Sequence, residues 1–175
     1  LGNLGAERVY LRDMTFGANK EHASKVLALL TGRRLKSRGF LRADVIDQDF
    51  ARSLGRGGFE LAQIGIEAAG EDARRSMGKK LADQKLQRAF ALLREQGVEA
   101  GGHFVVGMAG EPDDSVARSV KMAEELGCAY VSINIYEHRH GCEVQESVSP
   151  MRRAILTRQA QVAMVQYNGK RLVKQ

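Results

Sequence analysis

Cysteine is scarce in this chain: there are two, Cys128 and Cys142. Two cannot build a disulfide framework, which points to a reducing, cytoplasmic setting. Long apolar runs are absent as well; none approaches the ~18–20 residues a spanning helix needs. No apolar stretch of the signal-peptide kind opens the sequence, so no membrane association is expected. There is no Gly-Lys-Ser/Thr phosphate loop, no G-x-G-x-x-G fingerprint, no short-period repeat and no low-complexity segment. A block of one charge is missing too. The net charge is +6, from 27 Lys and Arg against 21 Asp and Glu. The basic residues are spread through the helices beside acids, which reads as solvated helix faces and makes nucleic acid an unexpected partner.

What is present is a chain of 175 residues, 43% apolar, enough for one real core. The opening Leu1-Gly2-Asn3-Leu4-Gly5 reads as the tail of a helix running into a strand, as if cut from a longer protein. Strand and helix signals then alternate. Val9-Tyr10-Leu11 favours a strand ending at Asp13. Asn19 can cap a helix carrying Ala23, Val26, Leu27 and Leu30, closed by Gly32. Phe40 and Leu41 begin a second short strand running to Arg42 and Asp44, and Asp47 can cap the helix of Phe50 and Leu54. The run 59–66 is a stronger strand, followed by Glu67 and a turn. Helix 81–96 stops at Gly97, strand 103–106 runs into Gly107, and Asp113 or Asp114 opens a helix ending at Gly127. Strand 130–136 and a final helix from about 151 to 167, ending near Asn168-Gly169, complete the chain. Five strands separated by helices and short loops mean a parallel α/β sheet with right-handed crossovers. Periodicity alone leaves both an open doubly wound sheet and a barrel open.

In such folds ligands bind at the carboxyl ends of the strands. Those ends carry Asp13, Arg42 with Asp44, Glu67, Gly107 with Glu111, and Tyr136 with Glu137 and His138. A small polar ligand with amine and carboxylate groups suits that set, although Asp44 and Glu111 read as loop or cap residues. His138, His140 and Cys142 have metal-ligand chemistry, but alternate residues of one loop converge poorly on one ion, so no metal is assigned there. Cys128 reads as a small buried hydrophobe.

Several segments, in order, resemble one family. Gln63-Ile64-Gly65-Ile66-Glu67-Ala68 followed by Met77-Gly78-Lys79 is similar to the G-I-E-S and M-x-K segments of radical S-adenosylmethionine (radical SAM) enzymes. Gly102 to Glu111 resembles their G-x-F-x-x-G-x-P-G-E strand and turn. Tyr10 to Phe16 is similar to the D-D-x-F end of their second strand, and Leu41-Arg42-Ala43-Asp44 to the R-x-D of their third. The likeness runs from about residue 5 to 142. Met14 replaces the second aspartate, Ala109 the proline and Ala68 the serine, and the family's C-x-x-x-C-x-x-C motif is not in this sequence. The subgroup most resembled is the one associated with cobalamin-binding domains, which includes methyltransferases, methylthiotransferases and the anaerobic oxidative cyclase of magnesium-protoporphyrin monomethyl ester.

The resemblance implies a partial TIM-like (β/α)6 barrel over 1–145, with a C-terminal helix and tail over 146–175. It implies the C-terminal part of a catalytic core that binds S-adenosylmethionine for 5′-deoxyadenosyl-radical chemistry, of tetrapyrrole-cyclase or methyl and methylthio transfer type. The implied cofactors are S-adenosylmethionine, a 4Fe-4S cluster with ligands upstream of residue 1, and cobalamin in the subgroup. Asp13 matches the position that meets the methionyl amine, Arg42 one that pairs with a carboxylate, and Glu67 one that bonds the ribose. Val105 to Gly107 matches the segment along adenine, and Tyr136 with His138 faces the substrate side. Catalytic residues are not assigned, and the piece alone is expected to be inactive. The expected partners are a small-molecule or tetrapyrrole-like substrate and, through an exposed edge at the strand beginning near Val9, a second copy. A non-catalytic α/β module contacting RNA or acidic partners, or a TIM-barrel piece binding a phosphorylated substrate, stands as the alternative.

Overall fold

The structure, a computed structural model, describes residues 5–137 and 148–172. Its elements alternate: β1 (Arg8–Leu11), α1 (Lys20–Gly32), β2 (Lys36–Leu41), α2 (Gln48–Arg56), β3 (Phe59–Glu67), α3 (Glu71–Ser76), α4 (Asp83–Glu95), β4 (Glu99–Val106), α5 (Ser115–Leu126), β5 (Val131–Ile135) and α6 (Pro150–Leu172). The strands form one five-stranded sheet in the order of the chain, β1-β2-β3-β4-β5. The registers Tyr10↔Arg38, Phe40↔Gln63 and Phe104↔Ile133 are parallel, and each strand follows its predecessor through a helical crossover. The chain divides into two compact units, Leu1–Gly65 with Gln84–Gly101, and Ile66–Asp83 with Gly102–Gln175.

In the first unit, α1 buries Ala23, Leu27 and Leu30 at helical spacing, and the Asn19 side chain accepts the His22 N–H at 2.9 Å. Asp47 caps α2 in the same way at Phe50. Phe16 stacks on Phe59 at 5.8 Å between ring centroids, and both are buried. Each such side chain contributes about 1.5–3 kcal/mol on burial. β2 occupies 36–41, so the Phe40–Leu41 pair expected to begin this strand ends it. The reason lies in its buried face, which is Ser37, Gly39 and Leu41. At Gly39 a Cβ would lie 3.0 Å from the Leu11 carbonyl oxygen, so the strand holds a glycine where an apolar signal would be looked for.

β4 begins at Glu99, earlier than the strand expected from His103, and its residues from Gly102 onward belong to the second unit. Gly102, just before the expected strand, is packed: a Cβ there would stand 2.9 Å from Ile66 and 3.0 Å from the Cys128 sulfur. Cys128 is wholly buried, as a small hydrophobe should be. Asp114 takes the N-cap position of α5 with no side-chain hydrogen bond, and Gly127 ends the helix at φ +71. The last helix does not stop at Asn168 but runs to Leu172. The Asn168 amide is held at the outer side of β5, accepting the Val131 N–H at 2.9 Å and donating to its carbonyl at 3.1 Å. The Tyr167 hydroxyl lies 3.1 Å and 2.9 Å from the Ala123 and Cys128 carbonyls. Among the described residues no helix is long and apolar enough to cross a membrane.

Candidate functional site

The strand ends of the first unit are charged. Asp13 follows β1 and is exposed. Arg42 follows β2, and its guanidinium takes Asp44 in a two-pronged bond, Nε to Oδ1 at 2.9 Å and Nη2 to Oδ2 at 2.6 Å. That bonding holds the Asp44 carboxyl below its ordinary value. The fork expected to take a ligand carboxylate is thus occupied by a neighbour two residues away.

One face of these strands is buried, through Ser37, Gly39 and Leu41 on β2 and Ala62 and Ile64 on β3. The other is half-exposed and polar. There the Tyr10 hydroxyl donates to Gln63 Oε1 at 2.7 Å, Phe40 tilts against the Tyr10 ring at 6.4 Å, and Arg12 and Arg38 each place their guanidinium carbon 5.3 Å from the centre of that ring. A parallel sheet with both faces packed would be apolar on each.

In the second unit the strand ends carry backbone strain. Glu67 closes β3 at φ +73, a region that side chains other than glycine seldom enter. The Ala68 N–H bonds the Ile66 carbonyl at 3.0 Å across it, giving a γ-turn of the rare, strained hand. The Glu67 carboxylate accepts Lys79 Nζ at 2.8 Å. Gly78, at φ +72, turns the chain at the end of α3, just before Lys79. This gives physical content to the spacing of Glu67 and Met77-Gly78-Lys79. Arg74 in α3 is fully buried; it donates to the Ala68 carbonyl at 2.8 Å and the Leu81 carbonyl at 2.8 Å, and pairs with Asp83.

Beyond β4, Gly107 adopts φ +93, and a Cβ there would stand 3.2 Å from Ile135 and 3.5 Å from Leu156. Its N–H donates to the Glu111 carboxylate, so Glu111 is a turn-closing residue. Burial pushes the Glu111 carboxyl above its ordinary value, against the N–H groups of Gly107 and Met108. Val105 is half-buried in register with Asn134, and the Tyr136 N–H bonds the Val106 carbonyl at 2.7 Å. His103, on the Val105 face of β4, meets the Tyr130 hydroxyl at 2.7 Å with the rings edge-on. Burial holds its imidazole below the ordinary value, partly opposed by Glu67.

The expected residues therefore fall in two groups, Asp13 and Arg42 in the first unit, Glu67, Val105, Gly107 and Tyr136 in the second. Within the second, β4 and β5 hold Val105, Gly107 and Tyr136 together through the Val106–Tyr136 bond. Lys79 as the partner of Glu67, and the Tyr10–Arg12–Arg38 group, were not singled out by strand-end reasoning. The spacing of Tyr10 and Arg12 on one strand face was their only signal. His138, His140 and Cys142 lie outside the described residues. Among the described residues no group of three His, Cys, Asp or Glu has the arrangement to hold a metal.

This α/β arrangement of five parallel strands with intervening helices is the partial-barrel fold of radical SAM enzymes. Coproporphyrinogen III oxidase (HemN) from Escherichia coli, a radical SAM enzyme, superposes with a TM-score of 0.79 over 96% of this chain and 43% of that one, at 17% identity. The radical S-adenosylmethionine methyltransferase TsrM from Kitasatospora setae, solved with cobalamin and a 4Fe-4S cluster bound, gives 0.67 over 77% of this chain and 28% of its own, at 18% identity. In sequence, an uncharacterized methyltransferase of Pyrococcus horikoshii is 25% identical over 138 residues, 75% of this chain and 29% of that protein. The chain thus spans less than a third of that relative's length. No family model matches the chain.

Proposed function

We propose that this chain is the S-adenosylmethionine-binding part of a radical SAM catalytic core, and that the whole enzyme carries out methyl transfer on a small-molecule substrate. The strained Glu67 turn carries the reading. A residue held at φ +73 at the carboxyl end of a parallel strand, in the motif position matched to a ribose contact, is where strain and function coincide. Lys79 holds Oε1 of Glu67, and among the described residues no donor holds Oε2, so the carboxylate retains an acceptor for a ribose hydroxyl. Gly107, at φ +93 and packed against Ile135 and Leu156, turns the backbone at the end of β4, the segment matched to adenine. Asp13 and Arg42 are the groups for the methionyl amine and carboxylate, with Arg42 exchanging Asp44 for the ligand.

S-adenosylmethionine supplies a sulfonium centre whose cleavage delivers an activated methyl or adenosyl carbon. The chain's own residues bind and orient it: Glu67 fixes the ribose, Lys79 keeps that carboxylate in place, and Val105 to Gly107 line the base. A cluster of the 4Fe-4S kind with one open iron takes three thiolates; this chain has two cysteines, of which Cys128 is buried to 0% exposure. The cluster does not fit this chain's residues, and no step is assigned to it here. The methyl-transfer reading, in preference to oxidative cyclisation, is supported by the methyltransferase relative and by the fold shared with TsrM; cobalamin is the accompanying cofactor on this reading.

Equilibrium dialysis with labelled S-adenosylmethionine tests it. Binding by the chain is expected, with a loss of tenfold or more in Glu67→Gly, a variant that relieves the turn and so keeps its fold. Asp13→Ala is expected to weaken binding less. Equal affinity in wild type and both variants would overturn the assignment. Salt-sensitive retention of RNA on a filter, without S-adenosylmethionine binding, would favour the binding-module alternative.

A further inference from the structure

The polar sheet face of the first unit has a charge pattern that the cofactor does not account for. Arg12 and Arg38 lie against one ring, each 5.3 Å from the centre of Tyr10. Four carboxylates of this unit are engaged by other cations: Asp44 by Arg42, Asp47 by Lys20, Asp49 by Arg52, and Glu60 by Arg8 and Lys36. Among the described residues no carboxylate pairs with Arg12 or Arg38. Two guanidinium groups held at one ring without a carboxylate partner make this face locally positive, and each can give a bound anion a charge-assisted bond. The surroundings are specific as well. The Tyr10 and Phe40 rings lie tilted with centroids 6.4 Å apart, and Gln63, whose oxygen is taken by the Tyr10 hydroxyl, keeps its amide N–H donors for an acceptor.

We propose that Tyr10, Arg12, Arg38, Phe40 and Gln63 form a binding site for the carboxylate of a small, ring-bearing substrate. As a statement about substrate class this rests on the radical SAM reading; as a binding site it does not. Cations stacked on an aromatic face are held in a fixed plane, which suits recognition of a planar carboxylate beside a ring. The strand-end residues assigned to S-adenosylmethionine are not among these five.

The test is an NMR titration of the chain with benzoate, benzamide and inorganic phosphate, watching the arginine Nε–H and the Tyr10 and Gln63 signals. Benzoate is expected to shift these groups and to bind at least tenfold more tightly than neutral benzamide. The loss is about tenfold for each guanidinium removed, in Arg12→Gln and Arg38→Gln, with the amide spectrum of the folded chain retained. Lysine at both positions should recover part of the affinity, since charge returns without the planar fork. Equal binding of benzoate and benzamide, or benzoate binding unchanged in the double glutamine variant, overturns the proposal. So does tighter binding of phosphate than of benzoate, which would make this a phosphate site. S-adenosylmethionine affinity is read on the same samples. Benzoate binding without S-adenosylmethionine binding sinks the cofactor reading alone, and the reverse sinks this one alone.

Discussion

Arg42 and Arg74 each come shortly after a strand, and each pairs with an aspartate further along the chain, yet the two pairs are physically unlike. Arg42 is 58% exposed and its partner Asp44 34%, so water screens the pair and another carboxylate can replace Asp44. Arg74 is 0% exposed and is fixed by two backbone carbonyls as well as Asp83. Its charge left water only because every direction of the guanidinium met an acceptor. The first unit thus keeps its charges in an exchangeable form at strand ends, and the second uses one buried charge to tie the turn after β3 to the start of α4. A ligand-binding group needs the former and a scaffold the latter.

The comparison can be broken most directly at Arg74. Arg74→Met keeps the bulk and removes the bonds, and urea unfolding is expected to show a loss of about 3 kcal/mol or more. A change under 1 kcal/mol, on the order of a surface pair, would erase the distinction. Next in size is Asn168→Ala, which leaves both backbone groups of buried Val131 without their side-chain partner; about 1–3 kcal/mol should be lost in the same measurement. A smaller effect is expected from pH. The folded-state value of His103 lies below its ordinary 6.5, so its contribution is present above that pH and is lost as pH falls, because the unfolded chain takes the proton first. Melting temperature should therefore fall on acidification from about pH 7.5 to 5.5, and His103→Gln should flatten that slope. The smallest effect belongs to Arg42→Ala, within about 1 kcal/mol in stability. A large loss there would mean that Arg42 is scaffold and not a binding group.

Apolar residues that repeat where helices press on the sheet mark the long helices in the sequence, and β-favouring runs mark four of the strands. The sequence reading also named Glu67 and Gly107 as strand ends. It missed what periodicity does not encode. Arg74 and Arg75 are adjacent and chemically identical, yet one is fully buried and the other is an exposed partner of Asp72. Only the path of the chain after Gly70 decides which. β2 was misplaced because its packed face is built from serine and glycine. Asn168-Gly169 reads as a helix stop; the asparagine is instead taken by β5, which frees the helix to continue. The strain at Glu67 has no signature in its own side chain.

The Asn168 amide has one more effect, on growth. By occupying both the donor and the acceptor of Val131, it puts a single side chain where the next strand's backbone would lie. At the opposite end of the order, the described residues leave β1 bonded to β2 only. Extension of this sheet is therefore polar in direction: an added strand, from this polypeptide or another, has a template beside β1 and meets a plug beside β5.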